Sequence, residues 1–255
     1  MTVPFTVLIP ARYGSTRLPG KPLVDLNGKP MIAHVARRAL DSGASRVFVV
    51  TDSNQVAQAA QKEGAHAITF TGDYESGTDR LAAATRMIPM KDDELIINLQ
   101  GDEPLMPSPV LAALANHYAR SGAPMATVAE IVPRMELHTL SNPNVVKVVT
   151  DENDMAMYFS RSLIPFDREQ ASSRTPELLD QFLRHVGIYA YRANFLREFA
   201  SWKPTPLEHL EKLEQLRALQ KGQRIAVMTT VPLGNISVDT ATDAERAADA
   251  LRGKV

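Results

Sequence analysis

Apolar residues in this chain arrive in two alternating rhythms. Phe5–Ile9 is a short, nearly unbroken apolar run that stops at Pro10, and it predicts a strand. From Met31 to Leu40 the apolar positions are 31, 32, 35, 36, 39 and 40, a stripe with helical spacing. Val47–Val50 predicts a second strand, Gln55–Lys62 a helix ending at Gly64, and His66–Phe70 a third strand. Asp79–Met87 predicts a helix with Leu81, Ala82, Thr85 and Met87 available for burial. Leu95–Leu99, a nearly continuous apolar strand, follows, then a helix over Val110–Tyr118 and a strand over Ala126–Val132. Strands that alternate with helices require crossover connections, hence a mainly parallel sheet. Strands this apolar suit a sheet covered on both faces.

The rhythm changes after Pro133. Val145–Thr150 and Met155–Ser160 predict two strands joined by the turn tetrapeptide Asp151-Glu152-Asn153-Asp154, a hairpin that a purely parallel sheet does not need. Residues 167–176 contain almost nothing apolar and are expected to form a mobile loop. Val186–Tyr191 predicts a strand. Leucines at 207, 210, 213, 216 and 219 predict one helix over Leu207–Leu219, buried over a wide arc because a spacing of three drifts around the axis. Ile225–Val231 predicts a strand and Ala241–Leu251 a closing amphipathic helix. The expected fold is α/β: a doubly wound, mainly parallel sheet in one domain over 1–255, with 140–192 as a β-rich insertion. No repeat, low-complexity segment or flexible linker interrupts it.

Composition narrows the function classes. The 255 residues are enough for a sizeable core, and 44% hydrophobic with 22% charged residues is ordinary for a globular chain. A net charge of −1 speaks against a broad nucleic-acid or membrane surface. There are no cysteines, which excludes disulfides and thiolate metal sites and fits a reducing compartment. No basic segment followed by a long apolar one opens the chain, so neither a secretory leader nor a membrane span is expected.

The stretch with the most chemistry is Leu8–Pro22, LIPARYGSTRLPGKP. After the first strand, Arg12, Arg17 and Lys21 crowd one loop between Gly14 and Gly20. Three cations repel, so an anion is expected among them, and a loop leaving a buried strand is where α/β folds take phosphates. The plain alternative is a turn with solvated cations. It is not a Walker A loop: five residues separate its glycines and Pro22, not a hydroxyl residue, follows Lys21. Any metal must be held elsewhere. Asp102 in Gln100-Gly101-Asp102-Glu103-Pro104 follows the most apolar strand, at the sheet edge where ligands collect, and is a hard oxygen donor suited to magnesium. Asp239 also ends a β-like run, Ile236–Val238, and either joins Asp102 on a metal or caps the last helix. Ser76-Gly77-Thr78-Asp79-Arg80 opens a helix, where a hydroxyl can cap and backbone amides can meet a ligand. Farther on, Arg161 follows a strand, His185 and Tyr189 share one strand face, and Glu214 is placed on the face of Leu207 and Leu210. An arginine, a histidine, a phenol and a carboxylate suit a small hydroxyl-rich acid. No hydrolase elbow, zinc-protease motif or dinucleotide glycine fingerprint is present.

The segments IPARYGSTRLPGKPL, ESGTDRLA, NLQGDEPL, NPNVVKVV, YFSRSLIPFDR, FLRHVGIYAYR, PLEHLEKLEQLRAL and VDTATDAER, from first strand to last helix, resemble the 3-deoxy-D-manno-octulosonate (Kdo) cytidylyltransferase family. The phosphate loop is shared loosely with other sugar-nucleotide transferases, whereas the FLRHVGIYAYR and LEHLEKLEQLR segments are more specific. The resemblance implies a magnesium-assisted transfer of CMP from CTP to the anomeric hydroxyl of Kdo for lipopolysaccharide synthesis, in a cytoplasmic homodimer. It implies Lys21, Arg12, Asp102 and Asp239 in catalysis, with Asp102 and Asp239 as metal ligands. Ala11, Arg12, Arg17, Lys21, Ser76, Gly77 and Arg80 would hold the nucleotide, and Gln100, Arg161, His185, Tyr189, Glu214 and Gln215 the sugar acid. Arg161 is the expected contact for the carboxylate, because guanidinium grips carboxylate in a two-pronged way.

Three other activities would use parts of the same residue set. A cytidylyltransferase for 8-amino-Kdo or a sialic acid would share the phosphate and metal residues. A hexose-1-phosphate nucleotidyltransferase would need a second Arg/Lys cluster downstream, which is not there. A nucleotide-binding regulator would not need Lys21, Asp102 and Asp239 together. The β-rich stretch 145–191 is the expected dimer contact.

Overall fold

The computed structural model describes residues 3–15, 17–70, 72, 74, 76–169 and 176–253. In chain order the elements are β1 (Thr6–Ala11), β2 (Asp25–Leu26), β3 (Lys29–Pro30), α1 (Met31–Leu40), β4 (Arg46–Thr51), α2 (Asn54–Lys62), β5 (His66–Thr69), α3 (Gly77–Ala84), β6 (Leu95–Asn98), α4 (Ser108–Ser121), β7 (Met125–Ile131), β8 (Lys147–Thr150), β9 (Ala156–Ser160), β10 (Leu183–Arg192), α5 (Ala193–Ser201), α6 (Pro206–Glu211), α7 (Leu216–Gln220), β11 (Ile225–Thr230) and α8 (Ala241–Arg252). The sheet is mostly parallel with flanking helices, as the alternating pattern predicts. The chain divides into two compact units: Met1–Asn116 with Ala190–Ala200 and Gly234–Val255, and His117–Tyr189 with Ser201–Leu233. The second unit therefore extends beyond 140–192 on both sides.

In the first unit, β1 lies between β6 and β4, and β5 pairs with β4, all in parallel. The chain moves outward from β1 through β4 to β5, then returns to place β6 on the other side of β1. Strand order thus reverses between β1 and β6, and in such sheets the crevice beyond the carboxyl ends at this point is the ligand site. Leu8, Ile9, Val49, Val50, Ile96 and Ile97 are fully buried along these strands. Two capping boxes start helices at defined residues: Ser76 with Asp79 opens α3, and Thr240 with Asp243 opens α8.

In the second unit, β11 and β7 pair in parallel from Ile225↔Met125 onward. β8 and β9 form the antiparallel hairpin predicted for 145–160, with an irregularity between Val149 and Thr150, and β8 pairs antiparallel with β10. The loop expected over 167–176 falls for the most part on 170–175, outside the described residues.

Three expectations are corrected. Residues 207–219 are two short helices, α6 and α7, not one. Lys212 between them takes φ 52°, and the carbonyls of Glu211 and Lys212 accept from the Arg161 guanidinium, where a continuing helix would need Glu211 to accept from its own downstream amide. The leucine stripe is consequently not buried throughout: Leu210 is 79% exposed while Leu213 and Leu216 are buried. Glu214 lies in the connection between these helices, not on a helical face with Leu207 and Leu210. Finally, Ile236–Val238 is extended chain outside any strand, tied to the site by Val238 N–H donating to the Asp102 carbonyl at 2.9 Å. A further helix, α5, follows β10, with Phe195, Leu196 and Phe199 buried, where no helix is expected from the hydrophobic pattern.

Candidate active site

The loop after β1 turns sharply at Gly20, in left-handed backbone at φ 67°, and places Lys21 at the start of a short 3-10 turn stiffened by Pro22. The loop after β6 carries Gln100, Gly101 and Asp102. A Cβ on Gly101 would lie 2.7 Å from the Pro10 carbonyl, so only glycine lets the ends of β1 and β6 approach this closely. Between them opens a cleft of about 290 Å³, lined by residues that include Ala11, Arg12, Arg17, Lys21, Ser76, Gly77, Arg80, Gln100, Asp102 and Asp239. Every residue expected to hold the nucleotide or a metal is therefore a wall of one cleft at the switch point.

Its electrostatic centre is Lys21. The ammonium donates to Asp102 Oδ2 at 2.7 Å and to Asp239 Oδ1 at 2.8 Å, and Arg17 Nη2 reaches the same Asp239 oxygen at 3.0 Å. Burial works to lower the Lys21 pKa, but the Asp102 and Asp239 carboxylates outweigh it and raise it above the usual lysine value. The ammonium is thus charged at any working pH. Asp239 is not the cap of α8, since Thr240 fills that position. Both carboxylates face one small cation and offer hard oxygen, so this pair fits a hard divalent ion that takes its other ligands from phosphate and water. No cluster of three or more metal-ligating side chains occurs among the described residues.

The far wall holds Arg80, whose side chain is 7% exposed. It is fixed by Asp52 at 3.2 Å, lies over the Tyr74 ring, and leaves its buried Nη1 without a partner among the described residues. An orphaned buried guanidinium nitrogen lining a cleft is a ready donor for a ligand. Asp52, which also accepts from Tyr13 N–H at 2.8 Å, escaped the pattern reading. Its signal was available: it directly follows β4, at the same carboxyl edge as the two loops.

A second polar cluster lies within the other unit. The His185 ring packs edge-on against Phe159 and is tilted against Tyr189, and its Nε2 pairs with Thr127 Oγ1 at 3.0 Å. Burial pushes the His185 pKa down to about 3, so the imidazole is neutral. The Tyr189 hydroxyl, whose pKa is raised by burial and then by Glu214, donates to Gln215 Oε1 at 3.2 Å. The Gln215 amide nitrogen is buried without a partner among the described residues. Arg161 donates to the carbonyls of Pro143, Glu211 and Lys212, and so is more firmly held than the sequence suggests. Gln100, by contrast, belongs to the first unit's cleft.

A mostly parallel α/β sheet with a basic loop and two carboxylates at its switch point defines the class: a nucleotidyltransferase. The chain belongs to the cytidylyltransferase family, whose family profile matches residues 6–225. Among solved structures, it is similar to CMP:2-keto-3-deoxy-manno-octonic acid synthetase complexed with CTP, at 37% identity and a TM-score of 0.87, over 99% of this chain and 100% of that one. It also shares its fold with a cytidylyltransferase from Leptospira borgpetersenii serovar Hardjo-bovis (strain JB197), at 16% identity and a TM-score of 0.63, over 98% of this chain and 88% of the other.

Proposed function

We propose that this enzyme transfers CMP from CTP to the anomeric hydroxyl of Kdo, releasing pyrophosphate, and so supplies an activated sugar acid for lipopolysaccharide synthesis. The observation that carries the reading is the end-to-end likeness to a CMP-Kdo synthetase complexed with CTP, joined to a cationic cleft at the switch point.

In this reading Arg12, Arg17 and Lys21 neutralise the triphosphate, with Lys21 nearest the reacting phosphate. The Kdo oxygen bonds to the α-phosphorus, the bond from that phosphorus to the bridging oxygen breaks, and its electron pair leaves on pyrophosphate. The hydroxyl proton passes to water. Charge grows on the leaving group, and donors fixed where charge grows are the main catalytic device in such transfers. Asp102 and Asp239 would hold magnesium, which when bound neutralises phosphate charge and favours the ionised form of a coordinated hydroxyl. Ser76, Gly77, Arg80 and Ala11 hold the nucleoside end, with Arg80 Nη1 offering its unused donor. His185, Tyr189, Glu214 and Gln215 hold the sugar hydroxyls, and Arg161 turns its remaining N–H groups to the carboxylate.

The nucleotide half is tested by incubating the enzyme with Kdo, magnesium and each of CTP, UTP, ATP and GTP, and following the phosphodiester of the product by phosphorus NMR. A sugar phosphodiester with CTP alone supports the reading, and equal turnover of UTP or ATP overturns it. We also assign a homodimer contact to the 145–191 stretch and a cytoplasmic site of action. The dimer is supported by exposed Met157, Leu163 and Phe166, the last beside an apolar groove with Val149, Pro165, Leu178 and Phe182.

A further inference from the structure

Lys147 is fully buried, yet it carries a charge-bearing side chain. Its ammonium donates to the backbone carbonyls of Val145 at 2.6 Å, Asn142 at 3.4 Å and Arg161. The three N–H groups of a lysine are thus spent on three carbonyls that belong to two different segments. Burial draws the Lys147 pKa down, and Glu211 acts in the opposite direction.

Glu211, the last residue of α6, is the other half of a clasp. Its Oε1 accepts from Ser160 Oγ at 2.6 Å, its Oε2 from Arg161 N–H at 2.9 Å, and its carbonyl from Arg161 Nε at 2.6 Å. The guanidinium also reaches the Pro143 carbonyl at 2.9 Å and the Lys212 carbonyl at 3.4 Å. The end of β9, the 142–147 segment and the end of α6 are therefore pinned at one point by charge-assisted bonds, the stronger kind. From this point the chain turns through left-handed Lys212. It then closes a tight turn in which Leu216 N–H donates to the Leu213 carbonyl at 3.2 Å and Arg217 N–H to the Glu214 carbonyl at 3.0 Å. That turn presents Gln215, 3% exposed, to the Tyr189 hydroxyl.

We propose that Lys147 and Glu211 are positioning residues for the sugar acid, fixing Arg161 directly and, through the Lys212 turn, the placement of Gln215 against Tyr189. Neither residue need touch the substrate. This rests on the assignment of Arg161 and Gln215 to the sugar acid, and the test separates the two. A side chain misplaced by about 1 Å is enough to cost a large factor in binding or rate.

The experiment measures Michaelis constants for Kdo and CTP, with melting temperatures, for Glu211→Ala, Ser160→Ala, Lys147→Met and Gln215→Ala. The expected result is a rise of at least tenfold in the Kdo constant for Glu211→Ala and Lys147→Met and about threefold for Ser160→Ala. The CTP constant stays within twofold in each case. If the first two fail to fold, Ser160→Ala, which removes the bond to Glu211 and the one its hydroxyl accepts from Ser162 N–H at 3.0 Å, carries the test. A lowered melting temperature with both constants unchanged makes the clasp merely structural and overturns the proposal. If Gln215→Ala raises the Kdo constant while the clasp variants do not, positioning fails and the sugar assignment stands. If Gln215→Ala also leaves it unchanged, the sugar assignment of Gln215 fails and takes this route of positioning with it.

Discussion

At the scale of single residues, the decisive feature is that Lys21 sits between two carboxylates. An ammonium bridging Asp102 and Asp239 occupies the position a divalent ion would compete for. Lys21→Met leaves Asp102 without its cation and Asp239 with Arg17 alone, so manganese, read by electron paramagnetic resonance, should bind the nucleotide-free variant more tightly than the native enzyme. Turnover should fall by about 10² or more, the usual cost of losing a donor aimed at developing charge. Unchanged manganese affinity would show that the lysine does not shield the pair. Gly101 makes a second case. The 2.7 Å between its would-be Cβ and the Pro10 carbonyl predicts that Gly101→Ala costs about 1–3 kcal/mol in stability, measured by denaturant unfolding, and weakens CTP binding. His185 gives a pH prediction. Its folded pKa, about 3, lies below the unfolded value near 6.5. The unfolded chain therefore binds more protons between these values, and stability is lost as pH falls from about 6.5 toward 3. His185→Asn should flatten that acid limb in thermal melts. An unchanged limb would place the titration elsewhere. Lys21 and Gly101 were legible in the sequence because they lie in glycine-containing loops after strands, and His185 because strand alternation sets it on one face with Tyr189. Asp52 and Glu211 were less so, because their partners Arg80 and Arg161 are brought to them only by folding.

At the scale of elements, hydrophobic periodicity located nearly every strand and helix of the alternating region, and α1 runs from Met31 to Leu40 as the stripe predicts. It failed at Leu207–Leu219. Leucine spacing is blind to tertiary hydrogen bonds, and there the Arg161 guanidinium takes the Glu211 and Lys212 carbonyls and stops the helix. The left-handed backbone of Lys212 predicts that Lys212→Gly is tolerated, while Lys212→Val costs about 1–2 kcal/mol because a branched Cβ is strained there. Equal melting temperatures for the two variants would show that the break is not under backbone control. The capping of α8 by Thr240 is a quieter lesson. It leaves Asp239 free for the cleft, a choice between neighbouring residues that the sequence did not decide.

At the scale of the whole molecule, the fold class was legible because burial on both faces of a parallel sheet imposes its pattern on every strand. The division into two compact units was not, since the second is assembled from His117–Tyr189 and Ser201–Leu233, segments separated in sequence. The assigned dimer contact predicts that Phe166→Glu, placing a charge at a side chain now 76% exposed, shifts the sedimentation coefficient from dimer to monomer. A native enzyme that sediments as a monomer would remove that assignment. Among the described residues no helix is long and apolar enough to cross a membrane.

Everything proposed for the cleft turns on Kdo being the acceptor of CMP. Pyrophosphate release from CTP and magnesium, measured separately with Kdo, 8-amino-Kdo and N-acetylneuraminate, tests it most directly. Release should be rapid with Kdo and far slower with the other two. Preferential release with another sugar acid would contradict the assigned acceptor while leaving the cleft chemistry intact, and CTP binding without release on any of them would contradict catalysis itself.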